Sequence, residues 1–130
     1  MDFEIIETEK FIMKVYKNNY LEYTIKENAS ITAEDVLEGK RKLRALRPGK
    51  KFYVLAEGIE FFTLTKEARA ITATKEYSDN TLAIAFCTSN ISIYFLGQMH
   101  EKISKPVVPT KIFMNKEHAK SWLNEQMNKK

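Results

Sequence analysis

The sequence predicts an α/β protein: a mixed, mostly parallel sheet with an N-terminal β-hairpin and about four helices, in the order β-β-α-β-α-β-α-β-α. Three observations carry this. Residues 11–17 (FIMKVYK) and 20–26 (YLEYTIK) are rich in β-branched and aromatic side chains and flank Asn18-Asn19, a pair suited to a tight hairpin turn. Beyond them, amphipathic helical stretches alternate with short apolar ones, as βαβ units do, which makes the later strands parallel. Residues 81–88 (TLAIAFCT) carry no charge, the pattern of a strand covered on both faces.

The elements follow in order. Residues 3–8 either extend the first strand or form a separate edge strand. Thr32, followed by Glu34 and Asp35, opens a helix with a capping-box-like pair; Ala33, Val36, Leu37, Leu43 and Leu46 form its apolar stripe, and Pro48-Gly49 ends it. Gly39 inside that helix allows a close approach to a sheet. Residues 52–56 are a short strand, followed by a loop holding Gly58, Phe61 and Phe62. Thr65 caps a second helix over 66–77. In the strand 81–88, Leu82, Ile84 and Phe86 point one way and Ala83, Ala85 and Cys87 the other, so that a helix can pack close on the small side. Ser89 caps a third helix over roughly 90–102, Lys105-Pro106 to Pro109 is a rigid connection, residues 110–114 are the last strand, and Asn115 caps the final helix with Ala119, Trp122 and Leu123 inward.

Composition narrows the class. With 130 residues, 44% hydrophobic and 29% charged, the chain is read as a single domain over 1–130 with a sizeable core, too apolar for disorder. One cysteine excludes a disulfide framework and a multi-cysteine zinc site. No run approaches a membrane span, and the acidic start MDFEIIETEK lacks a secretory core, so a cytoplasmic protein is expected. The net charge of +4 is uneven: residues 32–51 carry seven cations against three anions, and residues 105–130 six against two.

The segments ITAEDVLEGKRKLRAL (31–46), LTKEARAI (64–71), TLAIAFCTS (81–89), KPVVPTKIF (105–113) and EHAKSWL (117–123), in this order and spacing, resemble those of small uncharacterised bacterial proteins of the STAS-like superfamily, whose fold is that of the SpoIIAA-like anti-sigma-factor antagonists. The resemblance implies a regulatory or ligand-sensing role and no catalysis. The antagonists carry a phosphorylatable Ser in an Asp-Ser-Ser-Gly turn that opens the second helix. The matching turn here is Thr63-Leu64-Thr65-Lys66, with Leu64 at the acceptor place, which puts a phosphorylation switch in doubt. The superfamily also includes lipid-transfer domains and anion-transporter tails, so the fold alone does not choose a function.

No catalytic constellation stands out. Cys87 reads as a core cysteine. His100 and His118 lack the spacing that sets two ligands on one helical face, and neither metal nor cofactor is expected. Glu57 and Glu60 flank Gly58 in a loop at the C-terminal end of a strand, where open α/β sheets place ligands, though as solvated carboxylates they need no further role. The candidate interaction or ligand site is therefore Glu57, Gly58, Phe61, Phe62, Thr63 and Thr65, with Lys66 and Arg69 beside the helix start. Phe61-Phe62 is its unusual feature, since two adjacent aromatics do not readily share one buried face. A protein partner, including a second copy of the chain, is the leading expectation there; an apolar small molecule or lipid in a pocket near 57–65 is the alternative. The basic cluster Lys40, Arg41, Lys42, Arg44, Arg47, Lys50 and Lys51 wraps a helix end and makes no stripe, so it fits the helix dipole better than a nucleic-acid surface.

Overall fold

The computed structural model describes residues 2–58, 61–103 and 107–129, with side chains omitted for 100–103. The chain begins with β1 (Phe3–Glu7), β2 (Phe11–Tyr16) and β3 (Tyr20–Ile25), an antiparallel meander in which Phe3 faces Tyr16 and Phe11 faces Ile25. Residues 3–8 thus supply a separate edge strand. The turn between β2 and β3 spans Lys17–Asn19, one residue longer than the two-residue turn expected, and only Asn19 takes a positive φ (63°).

β4 (Ser30–Ile31) leads into α1 (Ala33–Leu46). The capping box forms: Thr32 accepts from the Asp35 amide, and Asp35 accepts from the Thr32 amide at 2.8 Å. Lys10 adds an ion pair to Asp35 at 2.7 Å. Burial opposes ionisation of Asp35, but these hydrogen bonds and the Lys10 charge outweigh it and hold the carboxyl below its usual range. The buried face of α1 is Val36, Gly39, Lys40 and Leu43. Leu37, expected in the stripe, sits about 100° round the helix from Val36 and is 50% exposed.

β5 (Phe52–Gly58), β7 (Thr81–Thr88) and β8 (Thr110–Phe113) extend the sheet from β3, each parallel to its neighbour, giving the strand order β1-β2-β3-β5-β7-β8. Among the described residues β6 (Thr63–Leu64) pairs with β4 alone, a two-residue parallel ribbon absent from the sequence-based expectation. α2 (Lys66–Thr72) ends five residues before the expected 77. There the Thr72 hydroxyl donates to the Arg69 carbonyl (2.9 Å) and the Thr74 hydroxyl to the Ile71 carbonyl (2.7 Å). These β-branched residues compete for the helix's own acceptors, and a 3₁₀ turn over Tyr77–Asn80 follows.

α3 (Ile91–Ile103) is capped by Asn90, not by Ser89: the Asn90 side chain accepts from the Ser92 and Ile93 amides. The Lys105-Pro106 connection lies outside the described residues. α4 (Lys116–Met127) starts at Asn115, whose side chain accepts from the His118 amide.

Two cores sandwich the sheet. On one face, Phe11, Met13, Val15, Leu21, Ile25 and Phe52 pack with α1 and α2, and Ile93 of α3 joins them. Gly39 brings α1 down onto β2, since a Cβ there would stand 3.2 Å from the Phe11 ring. On the other face, Ala83, Ala85 and Cys87 meet Ala119 and Leu123 of α4. The small side of β7 therefore admits a helix as expected, while Leu82 on its other side is exposed.

Candidate functional site

The segment 57–65 leaves the C-terminal end of β5, and its shape follows from Gly58. A Cβ at Gly58 would lie 2.2 Å from Phe62 Cε1, so only glycine lets the Phe62 ring fold back over the strand end. Phe62 is 7% exposed and sits 5.9 Å, centroid to centroid, from Phe86 of β7. Its neighbour Phe61 is forced the other way and is 63% exposed.

Backbone hydrogen bonds strap this segment to the loop after β3. The Asn28 amide donates to the Phe61 carbonyl (2.6 Å), the Thr63 amide to Ala29 (3.0 Å) and the Thr65 amide to Ile31 (3.0 Å). Asn28 adopts a positive φ of 65°, which turns the chain into the strap. Thr65 then caps α2 by accepting from the Ala68 amide at 3.1 Å. Thr63, Lys66 and Arg69 are exposed, and the Arg69 guanidinium donates to the Leu64 carbonyl at 2.6 Å.

Glu57 is half-buried and pairs with Lys116 at the start of α4 (3.4 Å). It is the register partner of Cys87. Burial raises the Cys87 pKa, Glu57 raises it further, and Lys116 partly opposes them; a thiol held protonated in this way is a poor nucleophile. Glu60 and the His100 side chain lie outside the described residues, and His118 is exposed. Among the described residues no group of three or more His, Cys, Asp or Glu is placed to hold a metal ion.

The basic cluster does not form one surface. Lys40, expected on a solvated helix end, is turned into the protein and is 8% exposed. Arg44 pairs with Asp79 (2.6 Å), Arg47 with Glu4 (2.5 Å) and Lys42 more loosely with Glu38 (4.0 Å). Arg41, Lys50 and Lys51 are exposed. Cations already matched to carboxylates release few counterions on meeting a polyanion.

Two features are only weakly marked in the sequence. Ile91, Phe95, Leu96 and Met99 all lie on the outer side of α3 and are exposed. Gly97 and Ile93 face inward, and a Cβ at Gly97 would stand 2.3 Å from Ile112 Cδ1. The only sequence signal is that residues 91–99 carry no charge at all, which equally describes a buried helix. The other feature is a cleft between α1 and α2 beside Lys40. Residues 57–65 do not line this cleft. No helix among the described residues is long and apolar enough to cross a membrane.

Comparison with known proteins places the chain by fold. The model of a family described as a domain of unknown function (DUF7793) matches residues 14–127. A crystal structure of an uncharacterised protein of the DUF3478 family, with a SpoIIAA-like fold, from Shewanella loihica PV-4, superposes with a TM-score of 0.56 at 14% identity, covering 93% of this chain and 91% of that one. No curated protein matches.

Proposed function

We propose that this chain, which belongs to the DUF7793 family, is a non-catalytic regulatory module that binds a protein partner through the 57–65 segment and the start of α2. The observation that carries this is the exposed Phe61. An aromatic ring at 63% exposure, on backbone strapped at residues 28–31, is a pre-ordered anchor, and aromatic anchors dominate the energetics of protein interfaces. The SpoIIAA-like fold supports a regulatory role by analogy. The missing Asp and Gly of the antagonist turn, with Leu64 at the acceptor place, argue for recognition that does not depend on phosphorylation. A cytoplasmic location belongs to the same reading.

The test is affinity capture with the full chain, comparing wild type with Phe61→Ala. Phe61→Ala should fold with a stability change within about 0.5 kcal/mol and lose a partner that wild type retains reproducibly. A partner held equally by Phe61→Ala and Thr63→Ala would overturn the site.

The uncharged outer face of α3 supports a homodimer as a second reading, since a second copy meets no like charge across it. Sedimentation velocity should give a dimer for wild type and a monomer for Phe95→Glu. A wild-type monomer at high concentration would rule the dimer out.

A further inference from the structure

Lys40 is a buried cation with no carboxylate of its own among the described residues. Its Nζ donates to Asn80 Oδ1 at 2.6 Å and lies 3.4 Å from Thr81 Oγ1 and 4.1 Å from the centre of the Tyr77 ring. Asp79, which acts on it through space, is held by Arg44. Lysines are almost never this buried unless paired. Burial first, and then the like charge of Arg44, lower the Lys40 pKa to about 8, with Asp79 opposing only in part.

Beside this amine the half-open cleft between α1 and α2 offers a volume of about 400 Å³, within the range of small-molecule sites. Leu37, Ile71 and Tyr77 give it an apolar wall, and Arg41 and Arg44 join Lys40 in lining it. Against these three cations stand Glu76 on the rim and Asp79, which is occupied by Arg44. The half-exposed Leu37 has no role in the core, but it has one as part of this wall.

We propose that the α1–α2 cleft is a binding site for a small amphipathic anion, an apolar chain or ring system carrying one acidic head group. The apolar body lies on Leu37, Ile71 and Tyr77, and the head group meets Lys40 and Arg41. An anion there supplies the counter-charge that the buried ammonium lacks, so binding and the charging of Lys40 favour each other. The site lies at the N-terminal end of β7, where Thr81 touches Lys40; Phe61 lies beyond the opposite end of the same strands, where Gly58 faces Thr88. The two sites therefore stand or fall independently.

The probe is 1-anilinonaphthalene-8-sulfonate, set against N-phenyl-1-naphthylamine, the same ring system without the sulfonate. Amide shift mapping of the full chain should centre the sulfonate's effects on residues 37–44 and 71–81. Lys40→Met should weaken the sulfonate about tenfold, the loss of one charge-assisted contact, and leave the neutral amine within about twofold. Lys42→Met, an exposed neighbour, should change neither. Should Lys40→Met fail to fold, the surface variants Arg41→Ala and Leu37→Asp carry the test, each weakening the sulfonate several-fold. Displacement of the sulfonate by decanoate identifies a chain-like ligand, and displacement by 1-naphthoate a ring-like one. Shifts centred on residues 91–99, equal affinity for the sulfonate and the neutral amine, displacement by neither carboxylate, or full affinity in both surface variants would overturn the site.

Discussion

At the residue scale, the glycines show how a missing side chain shapes a surface. Gly58 and Gly97 both meet a neighbour well inside van der Waals distance of an added Cβ, but the neighbours differ. At Gly58 it is the rigid Phe62 ring, wedged against Phe86; at Gly97 it is the far end of the flexible Ile112 side chain. Gly58→Ala should therefore cost about 1–3 kcal/mol in urea unfolding. Gly97→Ala should cost less, and Ile112→Val in the same chain should recover most of the loss. Equal costs at the two glycines would show that Phe62 has more freedom than its packing implies. Gly58→Ala should also weaken partner capture through Phe61, because moving Phe62 moves its neighbour. The oddity of two adjacent phenylalanines was legible in the sequence. Which ring faces out was not, because that depends on the contact of Phe62 with Phe86 of β7, a strand well further along the chain.

At the element scale, caps were the most legible feature and ends the least. Thr32, Thr65 and Asn115 each cap the helix assigned to them, because the N-cap bond is local and reaches only two or three residues ahead. The β4–β6 ribbon was missed for the opposite reason: it pairs segments more than thirty residues apart, a distance over which periodicity carries no information, whereas the early end of α2 is set locally by the Thr72 and Thr74 hydroxyls. The inner face of α1 was legible at Val36 and Leu43, while Lys40 was assigned to solvent because its partners Asn80 and Thr81 come from the far side of a crossover. On the opposite face α4 rides on the alanines of β7. Leu123→Ala should cost about 2–5 kcal/mol, and Ala85→Val, which overfills the close contact with α4, about 1–3 kcal/mol. Thermal or denaturant unfolding checks both, and a neutral Ala85→Val would mean that α4 can ride higher on the sheet.

At the scale of the whole molecule, Lys40 ties stability to pH. Its pKa is lower in the folded chain, about 8, than the ordinary 10.5, so between those values the unfolded chain binds more protons. Stability therefore rises with pH across the window from about 8 to 10.5, and the penalty is fully present below it. The groups around the amine are Arg41, Arg44, Asp79, Glu76 and Tyr77; burial pushes the Tyr77 phenol up to about 12, so it stays neutral through the window. Relative to Lys40→Met, wild type should gain on the order of 3 kcal/mol between pH 8 and 10.5. A flat difference would mean that the amine is charged and compensated throughout. The strand order carries a further consequence, one of time. β1, β2 and β3 are joined by short turns, whereas β3, β5, β7 and β8 become neighbours only after long crossovers close. Hairpins form in microseconds and non-local pairings far more slowly. In pulsed hydrogen-exchange refolding, the amides of residues 11–25 should gain protection before those of 81–88. The half of the sheet that carries both proposed sites is then the last to assemble, and simultaneous protection of the two halves would show that the crossovers set the pace for the whole sheet.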